Sequence, residues 1–196
     1  MVRNPERRAA LLDAAVEVLA REGARGLTFR AVDAEAGVPV GTASNYFADR
    51  DALLHQIDAR LKERLTPDPA VVEELLASPK DRTLVMAFMR DLLSRVTGDR
   101  TGYLAHLELR LEATRRPALH ASYTESVRGE LEFGMRFHRE AGLPGGDETV
   151  MVLYLAMQGL LLEHLTLPEV LNDALPGVTT PETLMERIVK TIVPAH

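Results

Sequence analysis

Apolar residues recur three and four positions apart along almost the whole 196-residue chain, and that regularity decides its fold class. Leu11, Ala15, Val18 and Leu19 share one helical face. So do Leu54, Ile57, Leu61 and Leu65 further on. Sustained period-2 alternation is missing, β-branched clusters are few, and no Asn-Gly hairpin turn occurs, so strands are not expected. The chain is read as all-α. With 46% apolar and 27% charged residues it is long enough to bury a substantial core in one or two domains.

Helix punctuation divides that pattern. A first helix is expected from Pro5 to about Glu22, with Pro5 in its first turn and Gly23 as its stop. Thr28 caps a second helix that ends at Gly37. A short third helix covers about Val40–Phe47, and Asp49 caps a fourth over residues 50–65, ended by Pro67 and Pro69. A short helical stretch follows near 70–77. Longer helices are expected at 81–96, 101–115, 118–141 and 147–165, and a last one at 181–193. The breaks between them are Ser78-Pro79, Thr97-Gly98, the Gly142–Gly146 segment and Leu175-Pro-Gly177.

Several classes of chemistry fall away. Without cysteine there is no disulfide, thiolate metal site or cysteine nucleophile. The histidines do not pair at metal-ligand spacing on one helix face, so no metal is expected. No phosphate loop, nucleophile elbow or Ser-x-x-Lys occurs, so catalytic residues and cofactors are not expected. The polar N-terminus lacks a signal peptide's apolar region. The dense apolar run from Val150 to Leu162 reads as too short to span a bilayer, so a cytoplasmic protein away from membranes is expected.

The segment from Thr28 to Phe47 carries the functional signal. Two short helices flank a turn centred on Gly37, the layout of a helix-turn-helix, whose second helix lies in the DNA major groove. Val32 and Ala36 are placed to pack against Val38 and Phe47. Thr42, Ser44 and Asn45 then face outward. Asn bonds adenine in a bidentate way, and Ser and Thr meet several base edges or a phosphate. Tyr46, Arg50 and the Thr28 cap are candidates to hold phosphates. The candidate DNA contacts are therefore Thr28, Arg30, Thr42, Ser44, Asn45, Tyr46 and Arg50. The net charge of −6 lies entirely beyond residue 50, since residues 1–50 hold seven Arg and seven Asp or Glu. The basic footprint is modest, and a local footprint is what DNA binding requires.

Residues 7–57 resemble the N-terminal domain of the TetR/AcrR family of bacterial transcriptional regulators. The family's sequence of elements reads here as Arg21-Glu-Gly23, Leu27-Thr28, Val32-Asp33, Ala36-Gly37-Val38, Gly41-Thr42-Ala-Ser44-Asn-Tyr-Phe47 and Arg50-Asp-Ala-Leu-Leu54. Four positions depart from it. Val40 replaces a phosphate-binding Lys, Ser44 replaces a Tyr, Asp33 replaces a small Ala in the packing of the second helix, and Arg50 keeps the charge of a Lys.

The resemblance implies an N-terminal DNA-binding domain, residues 1–50, followed by a helical effector-binding and dimerisation domain, residues 51–196, with helix 50–65 as connector. On helix 101–115, spacing gives Leu104, Leu107 and Leu111 as the apolar stripe, with Glu108 inside it. A carboxylate there must be paired, neutralised or at a pocket. Gln158 poses the same question, and Met86 and Met89 supply pliant lining. The candidate ligand residues are Met86, Met89, Leu107, Glu108, Leu111 and Gln158, for an apolar or cationic molecule. The helices at 118–141 and 147–165 are expected to pair as an antiparallel hairpin. Val127, Leu131, Gly134, Met135 and His138 on the first, with Leu153, Met157, Leu160, Leu161 and His164 on the second, would form a symmetric dimer face. The expected function is a homodimeric repressor that binds a palindromic operator in double-stranded DNA and is released by a small-molecule effector. The other class left open is a helical small-molecule-binding or enzyme-like protein whose helix-turn-helix is only a fold element.

Overall fold

A computed structural model describes residues 4–174 and 180–195. Eleven α-helices and no strands occur among them: α1 Pro5–Gly26, α2 Phe29–Glu35, α3 Thr42–Tyr46, α4 Arg50–Leu65, α5 Pro69–Leu76, α6 Arg82–Gly98, α7 Arg100–Ala113, α8 Pro117–Glu140, α9 Asp147–Thr166, α10 Pro168–Ala174 and α11 Pro181–Ile192. The expected caps are in place. Thr28 Oγ1 accepts from the Ala31 amide at 3.1 Å and Asp49 Oδ1 from the Ala52 amide at 2.7 Å. The expected break at Leu175-Pro-Gly177 lies outside the described residues. Helix α10 was not foreseen, although Pro168 at its first position and Glu169 in its first turn mark a helix start.

Helix α1 runs past its expected stop. Gly23 interrupts it with φ 69°, and a further turn carries on to Gly26. Beside the break, two side chains reach the backbone of Ala24. Glu108 of α7 accepts from the Ala24 amide at 3.4 Å, and the Arg50 guanidinium donates to the Ala24 carbonyl.

The chain divides into two compact units. One holds residues up to Thr66 together with Asp99–Ser126; the other holds Pro67–Gly98 and the residues from Val127 onward. In the first, α1 packs chiefly on α7 and also on α2 and α4. Leu11, Val16, Val18, Leu19, Val32, Phe47, Leu53, Leu54, Ile57 and Leu109 form its core. The inward face of α7 is Gly102, Tyr103, Ala105, Leu109, Glu112 and Ala113. This corrects the expected stripe of Leu104, Leu107 and Leu111, the last of which is 51% exposed. Spacing alone left several rotations of the helix open; packing against α1 and α4 chose among them.

In the second unit α9 lies mainly on α11, with α6 and α10 also against it. Leu153, Met157, Leu160, Leu161 and Leu165 are buried there with Met185 and Val189. The α9 half of the stripe expected at a dimer face is thus core except for half-buried His164. Val127, Leu131, Gly134 and Met135 of α8 are half-buried, and α8 is not among the main packing partners of α9, contrary to the expected hairpin. The apolar residues left outside on α9 are Met151, Val152, Leu155 and Leu162. By length and composition the 20-residue α9, mean hydropathy 1.3, would also suffice to cross a membrane, contrary to the shorter apolar run read from the sequence. A core helix meets the same test, and the inner side of α9 is core.

Candidate nucleic-acid interface

The turn between α2 and α3 is built from backbone that L side chains rarely adopt. Gly37 has φ 64° and Gly41 has φ 92°. A Cβ at either would meet nothing within 4 Å, so backbone conformation rather than space demands glycine. Helix α3 is only five residues long and is seated by Ala43, fully buried, and Phe47, 1% exposed. Ser44 and Asn45 point to solvent, Thr42 and Tyr46 are half-buried, and Arg30 is exposed on the first turn of α2.

Each candidate base-reading side chain is held by the turn itself. Thr42 Oγ1 donates to the Pro39 carbonyl at 2.5 Å. Ser44 Oγ and Asn45 Nδ2 donate to the Gly41 carbonyl at 2.8 and 2.9 Å. Val40 stands beside them 79% exposed, an apolar side chain at the rim of the surface.

Arg50 stands differently from its expected phosphate role. Its guanidinium turns inward to the Ala24 carbonyl and lies 3.9 Å from Glu112 of α7. Glu112, 8% exposed, also accepts from Arg116 Nε at 2.6 Å, and Arg116 bonds Asp51 of α4 at 2.6 Å. The Arg116 hydrogen bond holds the Glu112 carboxyl below its ordinary range, with the Arg50 and Arg115 charges adding to it. The first turn of α4 is thus pinned to α7 by ionic pairs, and only side chains far apart in sequence reveal it.

Sequence reasoning misjudged Asp33. At a position where the resemblance implies a small Ala, it is 1% exposed with both carboxylate oxygens bonded, to the Gly41 amide at 2.7 Å and the Ala43 amide at 2.6 Å. Its signal was Gly41, an N-cap without a side chain, which leaves the start of α3 needing an acceptor from elsewhere.

A helix-turn-helix seated in this way, followed by helices alone, has known counterparts. Residues 11–57 match the profile of bacterial regulatory proteins of the tetR family, and residues 80–195 match the tetracyclin repressor-like C-terminal domain. The chain belongs to the TetR family of transcriptional regulators. Among curated relatives, the HTH-type nicotine-responsive transcriptional repressor HdnoR of Paenarthrobacter nicotinovorans is 27% identical over 65% of this chain and 64% of its own length. The HTH-type transcriptional regulator BetI of Rhizobium meliloti is 32% identical over 40% of this chain and 39% of its own. The matched stretch therefore spans less than two thirds of either curated relative. Multidrug binding protein EbrR, solved with imidazole, is 29% identical over 98% of both chains with a TM-score of 0.66, and it has also been solved with malachite green and with ethidium. A TetR-family member from Streptomyces coelicolor A3 is 28% identical over 97% of this chain and 99% of its own, with a TM-score of 0.67.

In this TetR-family chain the six candidate ligand residues divide between the units. Leu107, Glu108 and Leu111 belong to the first, and Met86, Met89 and Gln158 to the second. Glu108 is occupied at the break in α1: its Oε2 lies 3.2 Å from where a Gly23 Cβ would stand. Met86 is buried, while Met89 and Gln158 are half-buried. Elsewhere in the first unit α7 and α8 bring aromatic groups together. His106 shares a 3.0 Å hydrogen bond with the Tyr123 hydroxyl, and its ring stacks with Tyr103 at 6.2 Å. Burial, aided by the Arg110 charge, lowers the His106 pKa to about 4 against a weaker opposing pull from Asp58. In the second unit, α9, α10 and α11 line an apolar groove of about 500 Å³ that includes Leu160, Leu184, Ile188 and Ile192, with Glu163 and Arg187 among its charged members.

Proposed function

We propose that this protein is a homodimeric, effector-released repressor that reads a near-palindromic operator through α3, without an enzymatic step, in the cytoplasm. The observation that carries the reading is the exposure of Ser44 and Asn45, with half-buried Thr42 beside them, on a turn that is bonded to all three. Thr28, Arg30 and Tyr46 are the proposed phosphate contacts, and Arg50 supports them by holding α4 in place. With side chains rather than excess charge doing the reading, binding has a shallow salt dependence for a protein of its class.

The dimer is proposed to form through the outward side of α9, Met151, Val152, Leu155 and Leu162, together with the groove beside α11. Exposed apolar side chains on α9, beside an apolar groove that α11 helps to line, support a self-complementary face. It would set the α3 helices of the two copies about 34–36 Å apart, one turn of DNA. The effector is proposed to be an organic cation, of the kind seen with EbrR, with Met86, Met89 and Gln158 as candidate contacts in the second unit. Its binding needs to shift the equilibrium by only about 1–3 kcal/mol.

The test is a titration of the protein with duplex from upstream of its own gene and with random duplex at moderate salt. Preference for the upstream duplex, reduced by ethidium or malachite green, is expected. Equal affinity for both duplexes would favour a fold-only role for the helix-turn-helix. A companion thermal-shift series with the same dyes reads effector binding as a rise in melting temperature.

A further inference from the structure

Helix α3 cannot hold itself. Five residues are too few for a stable isolated helix, and its N-cap, Gly41, offers no side-chain acceptor. The first amides of such a helix are orphans that normally find a cap, water or an anion. Here Asp33, reaching from α2, takes two of them. Its Oδ2 accepts from Gly41 at 2.7 Å and its Oδ1 from Ala43 at 2.6 Å. Its own carbonyl accepts from the Val38 amide at 3.0 Å. A carboxylate with 1% exposure is costly unless its lone pairs are met, and two charge-assisted bonds meet them. One residue thus grips both ends of the turn.

That grip extends to the reading side chains. Thr42 sits between the two held amides. Ser44 and Asn45 are both bonded to the carbonyl of Gly41, whose amide Asp33 holds. Thr42 is bonded to Pro39, within the same short turn. A shift of the Asp33 carboxylate therefore moves all three together. It also removes two N–H donors from any phosphate and places a negative charge in the head.

We propose that Asp33 is a positioning residue for DNA recognition: it touches no base, and it sets the placement of the side chains that do. The proposal rests on the DNA-reading function above. Asp33→Asn tests it, since the amide has the same shape but one acceptor oxygen and no charge. Duplexes selected from a random pool by the wild-type protein provide the probe. In the variant, affinity for the selected duplex is expected to fall about tenfold or more. Affinity for random duplex is expected to hold or rise, because a negative charge has left the head, and dimerisation changes little.

Retention of the wild-type preference by Asp33→Asn would overturn the proposal and leave the DNA-reading function standing. A parallel loss of selected and random binding with a lowered melting temperature would also overturn it, as that is a structural role alone. If the wild-type protein itself selects no sequence, the DNA-reading function fails and the proposal with it. Hydrogen exchange on the wild-type protein gives a reading that does not depend on the variant's folding. The Gly41 and Ala43 amides are expected to be protected in free protein and unchanged on selected DNA; rapid exchange in the free protein would overturn the proposal.

Discussion

The surface around α3 and the outer side of α9 are both exposed, and they are prepared for partners in opposite ways. At α3 Thr42, Ser44 and Asn45 each have a polar tie to the turn, and the turn is tied to a buried carboxylate. On α9, Met151, Val152, Leu155 and Leu162 stand out of the helix 41–61% exposed. The first surface is set before its partner arrives, which favours discrimination. The second offers apolar area, and under the proposed function it couples two reading heads.

Four changes would break or sharpen that contrast. Phe47→Ala removes the seat of α3 and is expected to cost about 3–5 kcal/mol in urea unfolding, with DNA binding lost as well. Acidification is expected to weaken the first unit through His106. Its folded-state pKa is about 4 against the ordinary 6.5, so the unfolded chain binds the proton first. The contribution is full above pH 6.5 and falls away as the pH drops toward 4, by about 3 kcal/mol. Denaturation at several pH values checks this, and the slope is expected to flatten in His106→Gln. Leu155→Glu, at a site 61% exposed, is expected to weaken the dimer by about 2 kcal/mol in sedimentation while the protomer stays folded. The smallest change is Val40→Lys, which adds a phosphate partner at a rim position and steepens the salt dependence of DNA binding by about one unit of slope.

Helix limits near Pro5, Thr28, Asp49, Asp147 and Pro181 were legible because caps and prolines act on neighbours a few residues away. The α2–α3 turn was legible for the same reason. What escaped depends on distant partners. Arg50 read as a phosphate anchor, and only the Ala24 carbonyl and Glu112 turn it inward. Glu108 read as either structurally paired or at a pocket, and the partner it has, the Ala24 amide beside the break at Gly23, lies far off in sequence. Helix α9 is apolar on most sides, so its spacing could not separate the residues packed on α11 from those left exposed. Asp33 was hidden by its charge, which argues for the surface until two amides are seen to enclose it.

The central claim is that α3 reads sequence with its side chains. Selection of duplexes from a random pool, run in parallel with the wild-type protein and Asn45→Ala, tests it most directly. The wild-type protein is expected to enrich two inverted half-sites one helical turn apart. Asn45→Ala is expected to bind that duplex more weakly by about 1–3 kcal/mol, with folding and dimerisation unchanged. No enrichment by the wild-type protein, or the same half-sites bound equally by Asn45→Ala, would contradict the account.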